Sequence, residues 1–484
     1  MIRTPPLSND PHVERPHTPR IMLRKPLRIV GRDAEWRRLA AFAAGSGVRL
    51  GVVGGRRRQG KTLLLEAVTR ATGGFYLGAT LATEAESLRL IADELAQYTD
   101  QPVRTAESWD WAVRELVVTA GRTGRPVVID DLPHLTRVSP QLPSVLDREL
   151  DRVEGDAAVL LGGAAPELGP LRARADLELV VQPLDLRATA RLWDVDDPHL
   201  AVQVHAVVGG TTAYRRFSGG DAPAGAEDFD AWVQRTVLEP ANPLFGEARY
   251  LVDSADVRDP ALYHSLLAAV ATGDGSRGSI ADYIGRRAAD IGHHLNVLED
   301  CGLLRREPDV FRAGRTTYHV AEPLVAFHHV VMRPRWGLLA SGRAADVWKD
   351  AQQRFTAHVL GPHFAQLCRE HAGTAEGLLH GRAGQVGAGV VTDGRRSQIA
   401  IDVAVFAPAV TAEPPRILGL GVASWDEVLG PAHVERLRRA RELLGARGYD
   451  VRDTRLLCYG AAGFAGPLDG ARALDPADLY AACG

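Results

Sequence analysis

Cysteine and methionine are scarce in this 484-residue chain, and lysine is rare beside arginine. The four cysteines, Cys301, Cys368, Cys458 and Cys483, are scattered, with no C-x-x-C pair and no cysteine–histidine cluster. That pattern encodes neither a zinc site nor a disulfide framework, and it suits a reducing cytoplasm. Long apolar runs are missing as well. No stretch approaches the roughly 18 residues that a membrane-spanning helix needs, so no membrane partner is expected. A strong charge of either sign is also absent. Lys and Arg together number 57 against 60 for Asp and Glu, a formal net charge of −3. A chain so balanced carries no global signature of nucleic-acid binding, so any DNA contact must come from a local patch. The first 27 residues hold six prolines among polar and basic residues. They lack the apolar core of a signal peptide and read as a disordered tail.

What is present is a phosphate loop. Gly54–Thr62 reads GGRRRQGKT, which contains G-x-x-x-x-G-K-[ST] from Gly55 through Gly60 and Lys61 to Thr62. An apolar run precedes it and the helical pattern TLLLEAVTRAT follows. Glycines at that spacing let backbone N–H groups wrap a phosphate, and the helix N-terminus adds its dipole. Lys61 can reach the β- and γ-phosphates, and the Thr62 hydroxyl can ligate Mg²⁺. RPVVIDD (125–131) is a short apolar strand ending in two acids. Asp130 is placed to hold Mg²⁺. Asp131 stands where a carboxylate would polarise the attacking water, or else caps the loop before His134. ATP and Mg²⁺ are therefore the expected cofactors.

Strand patterns recur at Arg49–Val53, Gly74–Leu77, Pro126–Asp130, Ala157–Leu161 and Leu177–Gln182, with helical patterns between them. Such alternation predicts an α/β fold with a parallel sheet covered by helices on both faces. The domains expected are 1–27 (tail), 28–183 (P-loop ATPase), 184–260 (helical), 261–335 (winged helix) and 336–484 (a further α/β domain). In the fourth, three helical patterns precede a hairpin, the order of a winged helix-turn-helix. Its third helix offers Arg286, Arg287, His293, His294 and Asn296 to DNA, and its wing offers Arg305, Arg306, Arg312 and Arg315. Residues 261–320 nevertheless hold seven basic against seven acidic side chains. Phosphate neutralisation dominates DNA affinity, so a neutral module equally suits docking within the chain, against the ATPase.

Taken in order, VGRDAEWRRL, GGRRRQGKT, VVIDDLPHL, VVGGTTAYRR, LEPANPLFGEARYLV and YHVAEPLVAFHHVVMRP resemble a known family. It is the prokaryotic STAND-like AAA ATPases that join a P-loop domain, a winged helix and a C-terminal PD-(D/E)xK restriction-like domain. The resemblance spans roughly residues 28–470 and implies an ATP-driven switch or scaffold. The chain departs from the family pattern at several points. Asp131 replaces the usual Glu. LLGGAAPEL lacks the polar sensor after the fourth strand. The G-G-x-P motif appears as Gly209-Gly210-Thr211-Thr212. Arg174 stands where the family carries an arginine that senses the γ-phosphate, a position that equally suits a solvated surface arginine. In the restriction-like domain Asp402 is retained, but Val422 takes the Glu position and Ser424 the Lys position. Phe364-Ala365 takes the place of a helical Phe-Glu. Valine cannot ligate a metal and serine carries no positive charge, so this fold reads as an inactive nuclease kept to bind a partner, protein included. Asp426 and Glu427 are the nearest substitute ligands. The competing functions are an ATP switch, an ATP-modulated DNA-binding regulator and a nuclease with an atypical site.

Overall fold

A computed structural model describes residues 23–101, 107–163, 169–253, 259–392, 398–411 and 413–481. The expected tail lies almost wholly outside them, as does Cys483. The chain divides into two compact units. One is drawn from the chain up to Val53, from Thr62–Gly163 and from the stretch ending at Leu179. The other is drawn from Gly54–Lys61 and from Val180 onward.

The first unit is built on strands β1 (Val48–Gly54), β2 (Phe75–Gly78), β3 (Val127–Asp130), β4 (Ala157–Gly162) and β5 (Leu177–Val180). They form one sheet in the order β2-β3-β4-β1-β5. The pairings of β1 with β4, β2 with β3 and β3 with β4 are all parallel. Every residue of β3 and β4 is buried. This explains their unbroken apolar runs, because a parallel sheet is covered on both faces. Helices cover it with local capping. Ser108 accepts from the Trp111 N–H at the start of Trp109–Thr123, and Gly124 ends that helix at φ 63°. This is the P-loop NTPase α/β fold expected from the sequence. Because β4 lies between β1 and β3, the carboxyl ends of these three strands are neighbours, and open α/β sheets place ligands at that edge.

The second unit opens with helices from Leu186 to Asp253. Helices Pro260–Ala271, Arg277–Tyr283 and Gly292–Asp300 follow, then the antiparallel hairpin β6 (Leu304–Pro308) and β7 (Thr316–Val320). A helical stretch from Pro323 reaches Thr374 with short interruptions. A mixed sheet then forms from β8 (Gln385–Thr392), β9 (Gln398–Phe406), β10 (Ile417–Ser424), β11 (Arg455–Gly460) and β12 (Ala471–Leu474), in the order β12-β11-β10-β9-β8. The helix Pro431–Ala446 packs on it. No helix among the described residues is long and apolar enough to cross a membrane.

Histidines are built into the interior of this second unit. His328 and His329 occupy a π-helical turn, with His264 packed beside them. Burial pushes the His328 pKa down to about 3, and His264, Arg249 and Arg333 add to the shift. His329 is depressed by burial and by His328, His264 and Arg333. His363, which meets His205 at 2.7 Å, is held down chiefly by burial. Each is neutral when folded but takes a proton once unfolded, below the ordinary value of about 6.5. Their stabilisation is therefore complete above that pH and is lost as the pH falls, for His328 down to about 3. At pH 5.5, one unit below the unfolded value, a group such as His328 removes on the order of 1 kcal/mol. Thermal melts should show the second unit melting at lower temperature at pH 5.5 than at pH 7.5. The loss should be smaller in a His329→Phe variant.

Candidate functional site

In the first unit the Walker-type acid is locked in place. Asp130 ends β3 and is 1% exposed. Its carboxylate accepts from the Tyr76 hydroxyl at 3.0 Å and from the Asp131 N–H at 2.9 Å. The Tyr76 hydroxyl is held protonated, first by its burial and then by the Asp130 charge. The carboxylate also explains one departure from the family pattern. A Cβ on Gly162, at the end of β4, would collide with Asp130 Oδ1 and with Leu65. Gly162, the first of the three positions at which the resemblance expects a polar sensor, therefore has no room for a side chain. Ala164 lies outside the described residues.

Asp131 adopts the left-handed conformation, φ 52°. Aspartate tolerates that region better than longer side chains do. The conformation gives a physical reason for Asp where the family carries Glu. It also means that restoring the Glu would strain the turn. Arg174 bonds Asp147 and Asp151, each at 2.7 Å. It is thus engaged by two carboxylates of the helix Leu142–Asp151, in surroundings that fit a surface ion pair.

In the second unit the phosphate loop is held from several sides. Gly55 (φ 131°), Arg58 (φ 71°) and Gly60 (φ 92°) give it the left-handed turns that aim backbone N–H groups inward. A side chain at Gly55 would press to 2.5 Å from the Val181 carbonyl, so only glycine fits there. Lys61 donates to the carbonyls of Gly55 and Arg56 at 2.9 and 3.0 Å. Thr62 follows it in the first turn of the helix Lys61–Thr72.

The loop's variable positions carry its tethers. Arg56 bonds the Thr211 hydroxyl at 2.9 Å and pairs with Glu322, whose carboxylate is buried. Arg58 pairs with Glu247 at 3.1 Å and lies over the Phe217 and Tyr250 rings. Gln59 donates to Thr211 at 3.1 Å, and the Thr212 hydroxyl donates to the Arg58 carbonyl at 3.2 Å. Thr212 stands where the family carries proline, and its hydroxyl supplies a bond that proline lacks.

The three helices and the hairpin place the DNA-contact candidates unevenly. The third helix begins at Gly292, so Arg286 and Arg287 lie on the turn before it rather than on its face. Arg287 is bonded by both nitrogens to Asp290 at 3.0 Å. His293 and Asn296 are on the helix and exposed. The hairpin arginines are engaged: Arg305 with Glu307 at 2.5 Å, Arg306 with Glu299 at 3.5 Å and Arg312 with Asp309 at 2.8 Å. The hairpin tip docks on β8. The Val310 N–H bonds the Ala388 carbonyl at 3.1 Å, and Asp309 accepts from the Val390 N–H at 3.3 Å. Gly387 and Gly389 make room, since a Cβ on either would come to 2.5 Å from Val310 or Asp309. The hairpin tip is thus docked on the C-terminal sheet, a partner the sequence did not suggest.

In that sheet Asp402 is half-buried, and its carboxylate accepts from the Ala423 N–H at 3.0 Å. Burial raises its pKa. Val422 and Ser424 lie on the neighbouring β10, and the Ser424 hydroxyl accepts from the Glu427 N–H at 3.1 Å. Glu427 bonds His433 at 3.1 Å. Phe364 is core. No group of three or more metal-ligating side chains is assembled among the described residues.

No protein-family model matches the chain. It is 20% identical over 329 residues to the uncharacterized protein MJECL04 of Methanocaldococcus jannaschii, covering 65% of this chain and 71% of that one. Among solved structures, it is similar to the Aeropyrum pernix ORC1 protein in complex with DNA, with TM-score 0.32, 15% identity, 64% of this chain and 94% of that one. It is also similar to the Thermotoga maritima RuvB Holliday junction branch migration motor, with TM-score 0.29, 17% identity, 59% of this chain and 93% of that one. At these scores they add nothing to the fold, which rests on the sheet order and the phosphate loop.

Glu322, Glu247, Thr211 and Tyr76 were not legible as site residues. The only signal was a lone acid inside each of the apolar segments YHVAEPLVAF and NPLFGEARYLV. The Gly162 geometry is testable. Gly162→Ser should displace the Asp130 carboxylate from Tyr76 and lower stability by about 1–3 kcal/mol, the usual cost of overpacking. Thermal melts of the variant against its parent measure this.

Proposed function

We propose that this protein is an ATP-binding, slowly ATP-hydrolysing switch or scaffold of STAND type. The observation that carries the reading is the phosphate loop, glycine-turned at the carboxyl end of β1 and tethered through its own variable side chains to elements far along the chain. Its backbone donors suit phosphate oxygens, and the oxygen donors Thr62 and Asp130 suit a hard cation such as Mg²⁺. Thr62 and Asp130 would hold Mg²⁺, whose positive charge would offset the negative charge of the terminal phosphates. Lys61 would leave its carbonyl partners to reach those phosphates. Asp131 would orient the attacking water. Its short side chain and the missing polar sensor make water alignment poor, hence slow turnover.

In this reading the three helices and hairpin are a winged helix, and the C-terminal sheet is a restriction-like domain without nuclease chemistry. Three of the wing's four arginines are paired and its tip is docked, which favours a structural wing over a DNA-reading one. A DNA-binding regulator is the second reading, supported by the exposed Arg286, His293 and Asn296.

Lys61→Ala should weaken ATP binding by about tenfold or more, the weight of one hydrogen bond to a charged group, with the melting temperature unchanged. Calorimetric titration with Mg-ATP checks it, and equal affinity in both proteins would remove the P-loop assignment. Incubation with single- and double-stranded DNA and Mg²⁺ or Mn²⁺ should give no cleavage above that of an Asp402→Ala variant. Cutting that disappears in Asp402→Ala would restore the nuclease reading.

A further inference from the structure

The phosphate loop's arginines are tied to two buried carboxylates that sit far from it in sequence. Glu322, 1% exposed, opens the helix Pro323–Phe327 directly after the hairpin. Besides Arg56 it receives the Thr211 hydroxyl at 3.4 Å. The stem of Arg56 also lies against Gly302, in the turn that leads into the hairpin, with a Cβ there 3.6 Å from Arg56 Cδ. Arg56 is therefore wedged between the two ends of the hairpin. The Arg56 bonds to Thr211 and Glu322 both use Nη2, while Nη1 is buried and has no hydrogen-bond partner among the described residues. Arg58 repeats the arrangement with Glu247, 5% exposed, on the helix Pro243–Asp253.

We propose that Glu322 and Glu247 form a latch that competes with nucleotide phosphate for Arg56 and Arg58, and that this competition reports nucleotide occupancy to the hairpin. The inference rests on the ATP-binding reading above. A triphosphate held on the loop's N–H groups brings several negative charges close to two buried carboxylates, where screening by water is weak. It attracts both guanidiniums, and Nη1 of Arg56 supplies a ready donor. Lys61, which bonds the Arg56 carbonyl in the latched state, must release it to reach the phosphates, loosening the same residue from its backbone side. Occupied loop and closed latch thus oppose each other. Since coupling is reciprocal, weakening the latch must strengthen nucleotide binding.

Two measurements test this on the full chain. In the first, hydrogen–deuterium exchange of the unsubstituted protein is followed with and without Mg-ATP. Exchange across 316–327 should rise when the nucleotide binds. In the second, Mg-ATP affinity is measured for Glu322→Gln and Glu247→Gln, which keep an acceptor but remove the charge. Each should bind about tenfold more tightly, within the ordinary range of coupling between linked sites, and Glu322→Gln should lose the exchange response. A purely structural clamp would give the opposite, weaker ATP binding together with a lower melting temperature. If the parent binds ATP through Lys61 but 316–327 exchanges equally in both states, the latch is wrong and the P-loop reading stands. If the carboxylate variants bind no more tightly, the latch is likewise wrong. Absence of any Lys61-dependent ATP binding would remove both.

Discussion

The arrangement of the second unit depends on one buried ion pair, Arg56 with Glu322. Taking a guanidinium and a carboxylate out of water is costly, and the cost is offset only when each finds further partners. Here Thr211 bonds both, and Gln59 bonds Thr211 in turn. Losing one member would leave a buried charge uncompensated, typically about 3–5 kcal/mol. The loop's conformation and the start of the helix after the hairpin are therefore not independent. A loop whose backbone is free to bind phosphate has its side chains committed elsewhere.

A similar logic governs the hairpin. A wing that reads DNA must present unpaired cations to phosphates, yet the acids of this hairpin and of the preceding helix neutralise Arg305, Arg306 and Arg312. Glu307 also faces His319 at 3.4 Å and Arg369 at 3.6 Å, on the helix Gly361–Thr374 that packs on β9. Arg369 in turn donates to the Asp402 carbonyl at 3.1 Å. The hairpin, that helix and Asp402 of β9 form one connected polar network. The Asp402 carboxylate serves it as an acceptor for the β10 backbone.

The first unit shows how a missing residue is accommodated. Asp130 fills the space that a side chain at Gly162 would need, and it is oriented there by Tyr76 and by the backbone of Asp131. Asp131, whose N–H makes that bond, itself adopts the left-handed conformation.

The sequence alone was enough for the parallel sheet, the phosphate loop and the acid at the end of β3. Unbroken apolar runs, glycine spacing and a strand-terminal aspartate are local signals, set by backbone geometry within a few residues. That Val422 and Ser424 offer neither a metal ligand nor a positive charge was equally legible, because chemistry excludes those side chains from such roles wherever they lie. The sequence placed Arg286 and Arg287 on the third helix, but the separate short turn Ala288–Ile291 before Gly292 sets them apart. The roles of Glu322, Glu247, Thr211 and Tyr76 were decided only by tertiary structure. A buried acid in an apolar segment shows that a cation must be near, but not which one among more than fifty arginines and lysines. Only folding brings Arg56 to Glu322 across 266 residues of chain, because the partner of a buried charge is selected by packing rather than by sequence separation.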